Sequence, residues 1–183
     1  MKPKTSSLIA YEAIETRVAE MARQMAKEYA SERPLLVGVL NGAAPFLMAL
    51  VRHWPATLQA ALEYDFIYVK SYVGTQSSGK VEVVKDTRMD LSGRDVIVVE
   101  DIVDTGLTLH YVLSLFQKKR PKSLRVCSLL KKRVKRRYEV PVDYCGFEID
   151  DLFVVGFGLD FNGAYRSLNH IAVLELPDQE KSN

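Results

Sequence analysis

Two uninterrupted apolar runs govern what this chain can become: LLVGVL at Leu35–Leu40 and DVIVVE at residues 95–100. Each stops at a short turn of small or polar residues and passes straight into a helical pattern. After Leu40 come Asn41, Gly42, Ala43 and Ala44, then Pro45, which suits a first helical turn, and an apolar pattern reaching Val51. After Glu100 the chain reads DIVDTGLT and enters a second apolar helix that ends near Lys119, Arg120 and Pro121. A run that is apolar throughout has to be covered on both faces, the condition of a central strand in a parallel sheet. Strand, turn, helix and strand in succession form the βαβ unit, so the expected class is α/β, with a mostly parallel central sheet flanked by helices. Further strand-like runs lie at 62–69, 81–84, 124–130, 144–149 and 153–157. Near the N-terminus Tyr11, Ile14, Val18, Met21, Met25 and Tyr29 recur every three or four residues, which predicts a helix with one packing stripe.

In sheets of this kind ligands bind beyond the carboxyl ends of the strands, so the loops after Leu40 and Val99 are the places for chemistry. Glu100, Asp101 and Asp104 stand where the most apolar strand of the chain ends. Carboxylates next to a core need partners, because burying them unpaired is costly. The vicinal hydroxyls of a ribose, or a Mg²⁺ ion that keeps some of its waters, would supply them. Thr105, Gly106, Leu107 and Thr108 follow at the start of a helix, where free N–H groups and the helix dipole suit a phosphate monoester. Acceptors for a sugar beside donors for its 5-phosphate make a pattern shaped for a phosphorylated ribose.

The string at residues 98–108, VVEDIVDTGLT, resembles the phosphoribosyl pyrophosphate (PRPP) motif of the type I phosphoribosyltransferases. The resemblance extends over residues 35–173 and is strongest to the 6-oxopurine branch, the hypoxanthine-guanine phosphoribosyltransferases. It implies that fold, with a small hood formed by terminal segments. VLNGA, at residues 39–43, is similar to the loop that holds pyrophosphate in the family, whose members often carry Lys where this chain has Asn41. There the peptide before that position can be cis, and the N–H groups of Gly42 and Ala43 can still bind an anion. Lys70, Ser71 and Tyr72, with the polar stretch VGTQSSGK after them, resemble the mobile loop that closes over the site. In SLLKKR, Lys132 matches the lysine that recognises the purine 6-oxo group. In LFVVGFGLDFNGAYRSLNH the match implies that Phe153 stacks on the purine, the Val154 backbone reads its edge, Asp160 serves a second metal and the base region, and Arg166 binds pyrophosphate.

The activity so implied is transfer of a 5-phosphoribosyl group from PRPP to N9 of hypoxanthine or guanine, giving IMP or GMP and pyrophosphate. Mg²⁺ is the implied cofactor, with Glu100, Asp101 and Asp160 as candidate ligands and Asp104 as the catalytic group near purine N7. A preference for xanthine is an alternative within the same chemistry. Another class stays open because KKRVKRR, at residues 131–137, has six basic residues in seven. It reads as a solvated face, an anion site or, in a nucleotide-sensing regulator of this fold, an RNA-binding surface. The formal net charge of +2 over 183 residues gives nucleic acid no general support. No run approaches the ~20 apolar residues of a membrane span. With no signal peptide in view, a cytoplasmic enzyme with reduced Cys127 and Cys145 is expected. No repeat or linker divides the chain, so one domain over residues 1–183 is expected, its 177–183 tail disordered. The family resemblance implies a homodimer or homotetramer. His53, His110 and His170 lack metal-ligand spacing and read as structural.

Overall fold

A computed structural model describes residues 4–72 and 80–175, the side chains of 71, 72 and 80 excepted. The expected tail and most of the expected mobile loop lie outside the described residues. The elements run β1 (Lys4–Ile9), α1 (Tyr11–Glu28), β2 (Leu35–Leu40), α2 (Ala44–His53), α3 (Ala56–Gln59), β3 (Glu63–Tyr72) and β4 (Lys80–Lys85). They continue with β5 (Asp95–Val103), α4 (Leu107–Gln117), β6 (Ser123–Lys132), β7 (Tyr144–Ile149), β8 (Val154–Val155) and β9 (Ile171–Glu175).

Six strands form the main sheet in the order β4-β3-β2-β5-β6-β7. Every neighbouring pair is parallel except β3 with β4. The two apolar runs, β2 and β5, therefore occupy its centre. One apolar cluster covers one face, where Ile14, Val18, Met21 and Met25 of α1 meet Phe46, Leu47 and Leu50 of α2. The stripe differs from expectation at its first residue, since Tyr11 remains exposed. A second cluster contains Leu109, Val112 and Phe116 of α4 together with Val37, Val96 and Val98. With helices on both faces, the central strands β2 and β5 bury both rows of their side chains, as their composition requires.

A separate antiparallel sheet, β1-β9-β8, joins the two ends of the described chain and forms the expected hood. Its β8 is shorter than the run expected at residues 153–157. Gly156 and Phe157 both have positive φ, and Gly156 bridges back to Leu159, so the chain turns after Val155 instead of continuing the strand. Cys127 and Cys145 are free, as expected. Among the described residues no helix is long and apolar enough to cross a membrane.

Candidate active site

The site is laid out by the ends of the central strands. Pairing of β2 with β5 stops at Gly38 and Val99, whereas β5 stays paired with β6 as far as Val103 and Lys131. Glu100 and Asp101 thus lie within a strand, where its other edge has been given up to the loop that follows β2. That loop crosses directly over the carboxylates: a methyl group at Gly42 would overlap Asp101 Oδ2. The peptide between Leu40 and Asn41 is cis.

Glu100 is only 6% exposed, and its Oε2 has no hydrogen-bond partner among the described residues. Burial, reinforced by the adjoining charge of Asp101, pushes the Glu100 carboxyl well above its usual range. Burial also raises Asp101, against the opposing effects of Glu100, the Ile102 N–H and the Arg166 charge. The acceptor capacity of this pair is thus not filled by the surrounding protein donors, at Glu100 Oε2 above all. Among the described residues no group of three or more His, Cys, Asp or Glu side chains could hold a metal ion by itself. The hard carboxylate oxygens, Glu100 Oε2 unpartnered among them, nevertheless fit Mg²⁺, which is ordinarily held by one or two carboxylates with waters and substrate oxygens completing its shell.

Two cavities meet at this pair. One, of 310 Å³, is bounded by Asn41, Gly42, Lys70, Asp160 and Arg166 as well as Glu100, Asp101 and Thr108. The other, of 360 Å³, is bounded by the chain from Glu100 through Asp104, Thr105, Gly106, Leu107 and Thr108 to Leu109. Gly106 precedes α4 in a left-handed conformation, φ 80°, and no side chain caps the helix. The Thr105 hydroxyl makes only a long 3.4 Å contact to the Leu107 N–H. The second cavity thus opens on uncapped donors at a helix N-terminus, an anion site in physical terms.

Lys132 ends β6 and is 9% exposed. Its Nζ lies 3.0 Å from Asp104 Oδ2 and 2.9 Å from Asp151 Oδ1. Burial would lower its pKa, but the hydrogen bonds and charges of Asp151 and Asp104 outweigh this and raise it, so the ammonium is secure. Phe153, 48% exposed, sets its ring edge-on to Phe161 with centroids 5.7 Å apart, and so presents aromatic surface outside the core. Val154 is buried in β8. Asp160 is ion-paired to Arg166 at 2.7 Å, and Arg166 also donates to the Gly158 carbonyl at 2.6 Å. The structure thus puts Asp160 and Arg166 on the first cavity with Asn41 and Gly42, and gathers Asp104 and Lys132 beside the second. Ser71 and Tyr72 close β3, their side chains lying outside the description.

The basic run is largely absorbed by the protein. Lys131 pairs with Glu148, Lys132 with Asp104 and Asp151, and Arg133 with Asp150. Arg136, expected as a plain surface charge, instead donates to the Lys132 carbonyl at 2.9 Å and braces the strand end that carries the lysine. Asp151 carries no expectation from the sequence, whereas Lys70, read there with the closing loop, lies near the end of β3 on the first cavity. The adjacent acidic residues at 150 and 151, just after a strand-like run, are the signal that could have marked Asp151.

Residues 5–162 match the family model of the phosphoribosyl transferase domain, and the chain belongs to that family. It is 42% identical over 169 residues to the hypoxanthine-guanine phosphoribosyltransferase of Bacillus subtilis (strain 168), with 92% of each chain covered. It is 40% identical over 163 residues to the hypoxanthine-guanine-xanthine phosphoribosyltransferase of Tritrichomonas foetus, covering 88% of this chain and 87% of that one. Among solved structures, the hypoxanthine phosphoribosyltransferase of Trypanosoma cruzi in complex with the product IMP superposes with a TM-score of 0.83. Its identity is 38%, with 92% of this chain and 93% of that one covered.

Proposed function

We propose that the chain transfers the 5-phosphoribosyl group of PRPP to N9 of hypoxanthine or guanine, forming IMP or GMP and releasing pyrophosphate. The observation that carries this reading is the buried Lys132 ammonium beside Asp104, at the edge of an uncapped helix N-terminus. A donor-only side chain held there favours a carbonyl on the base and disfavours an exocyclic amine, which also presents donors.

In this reading Thr105, Gly106, Leu107 and Thr108 bind the 5-phosphate, and Glu100 and Asp101 take the ribose hydroxyls directly or through metal-bound water. Asn41, Gly42 and Arg166 hold the diphosphate, Arg166 through its planar fork of donors. Lys132 binds the purine 6-oxygen, Phe153 covers the ring face, and the Val154 backbone meets the ring edge. As the bond from N9 to the anomeric carbon forms, the anomeric C–O bond breaks and its electron pair leaves with pyrophosphate. Asp104, facing N7, accepts the proton that the five-membered ring gives up. Glu100 and Asp101, with Asp160 at the far side of the first cavity, are the residues that would hold Mg²⁺. When bound there, the ion supplies positive charge for the departing diphosphate. Arg166 and the loop amides provide the rest of that stabilisation, already oriented before reaction.

The name of the Tritrichomonas foetus relative favours testing xanthine as a third base. A spectrophotometric assay with PRPP and Mg²⁺ against hypoxanthine, guanine, xanthine and adenine, with a chelator control, decides the matter. Turnover of the oxopurines, abolished by chelation, is expected. No turnover of any purine sinks the reading.

A further inference from the structure

The Lys132 ammonium carries three N–H donors on an almost wholly buried stem. Two are committed, one to Asp104 Oδ2 at 3.0 Å and one to Asp151 Oδ1 at 2.9 Å. A single acceptor leaves Nζ free to swing around it on its flexible stem, whereas two acceptors on different segments fix the position of the ammonium and so define where the third donor points. The reading above uses Asp104 as proton acceptor and leaves Asp151 without a task. We propose that Asp151 is a specificity-determining positioning residue: by taking a second N–H of Lys132, it orients the remaining donor for a carbonyl oxygen on the base. It also keeps Lys132 from resting on Asp104 alone, so that Asp104 stays accessible to the proton it receives. The proposal rests on the oxopurine reading of the site.

The neighbouring aspartate separates contact from mere charge. Asp150 and Asp151 have the same charge and side chains of the same 71% exposure, but Asp150 binds Arg133, at 2.8 Å, and not Lys132. Loss of either removes one negative charge from this corner of the surface. Only loss of Asp151 releases the lysine.

The test uses the full chain as wild type, Asp151→Asn, Asp151→Ala, Asp151→Glu and Asp150→Asn. It measures kcat, KM for hypoxanthine and for PRPP, the ratio of kcat/KM for adenine to that for hypoxanthine, and a thermal melt. Asp151→Ala should raise KM for hypoxanthine roughly five- to tenfold and shift the ratio toward adenine, and Asp151→Asn, whose amide oxygen still accepts but carries no charge, should do so by about two- to threefold. KM for PRPP should stay within about twofold, as one exposed partner on a buried cation is worth modest energy. Asp151→Glu, which can still reach the ammonium, should recover about half of the loss, and Asp150→Asn should leave every constant within about twofold. An unchanged hypoxanthine KM in Asp151→Ala, with wild type active, overturns the proposal alone. So does an equal rise in both KM values shared by Asp150→Asn, which marks a general effect of charge. An inactive wild type overturns the oxopurine reading and this proposal with it.

Discussion

Gly106 stands at the hinge between strand and helix with φ 80°, and a methyl group placed on it would run into the Tyr138 carbonyl. Both constraints act at once, so Gly106→Ala should cost about 1–3 kcal/mol of stability, read from denaturant unfolding. It should also raise KM for PRPP more than KM for the base, because the displaced backbone carries the donors proposed for the phosphate. An unchanged PRPP constant would remove the loop from the phosphate site. Asp104→Asn keeps the shape and the contact to Lys132 but not the basic oxygen, so kcat should fall by about 10²-fold or more while calorimetric PRPP affinity changes little. Wild-type turnover in that variant would take Asp104 off the catalytic list. Asp104 and Lys132 could each be read from the sequence because each sits in a contiguous string whose residue types make chemical sense together. Their contact with each other, and with Asp151, could not. It depends on the parallel register of β6 with β7, which sets Lys132 opposite Ile149 and so brings the segment after β7 alongside the lysine.

At the scale of elements, Asp65 of β3 shows how a loop far from the chemistry is fixed. Its Oδ1 accepts the Phe66 N–H at 2.8 Å, and its Oδ2 accepts from the Thr87 hydroxyl and from the N–H groups of Arg88, at 2.7 Å, and Met89, at 3.2 Å. The link between β4 and β5 is thereby stitched to β3, the strand next to the sheet edge. Burial alone would raise the Asp65 pKa, but the hydrogen bonds from Thr87 and the three backbone N–H groups hold it below its ordinary 3.8. A lowered folded value means that the unfolded chain binds the proton more tightly. The stabilisation is therefore complete above the ordinary value and is lost as pH falls through the folded one. Asp65→Asn should lower stability by about 1–3 kcal/mol at neutral pH and flatten its decline between about pH 5 and pH 2. Equal acid dependence in variant and wild type would contradict this. The inner strands β2 and β5 were legible because they are apolar on both sides. By contrast β1, KTSSLI, is mostly polar and exposed, and it earns its strand geometry only from pairing with β9, so no local pattern announces it.

For the molecule as a whole, two apolar clusters on opposite faces of one sheet divide the stabilising burial between them. Phe46 on one side and Phe116 on the other are both fully buried. Either Phe→Ala truncation should cost about 3–5 kcal/mol in chemical denaturation, a large part of the roughly 5–15 kcal/mol of a typical domain. A loss below about 1 kcal/mol at one site would mean that its cluster is not a unit of the core. The hood has a different consequence, one of timing. The first strand in the chain pairs only with the last described one, Lys4 opposite Glu175. At synthesis rates of roughly 5–20 residues per second, the opening segment waits on the order of ten to thirty seconds for its partner to be made. Throughout that interval the nascent chain can assemble β2 to β7, yet its first strand has nothing to pair with, a vulnerable edge in a newborn protein.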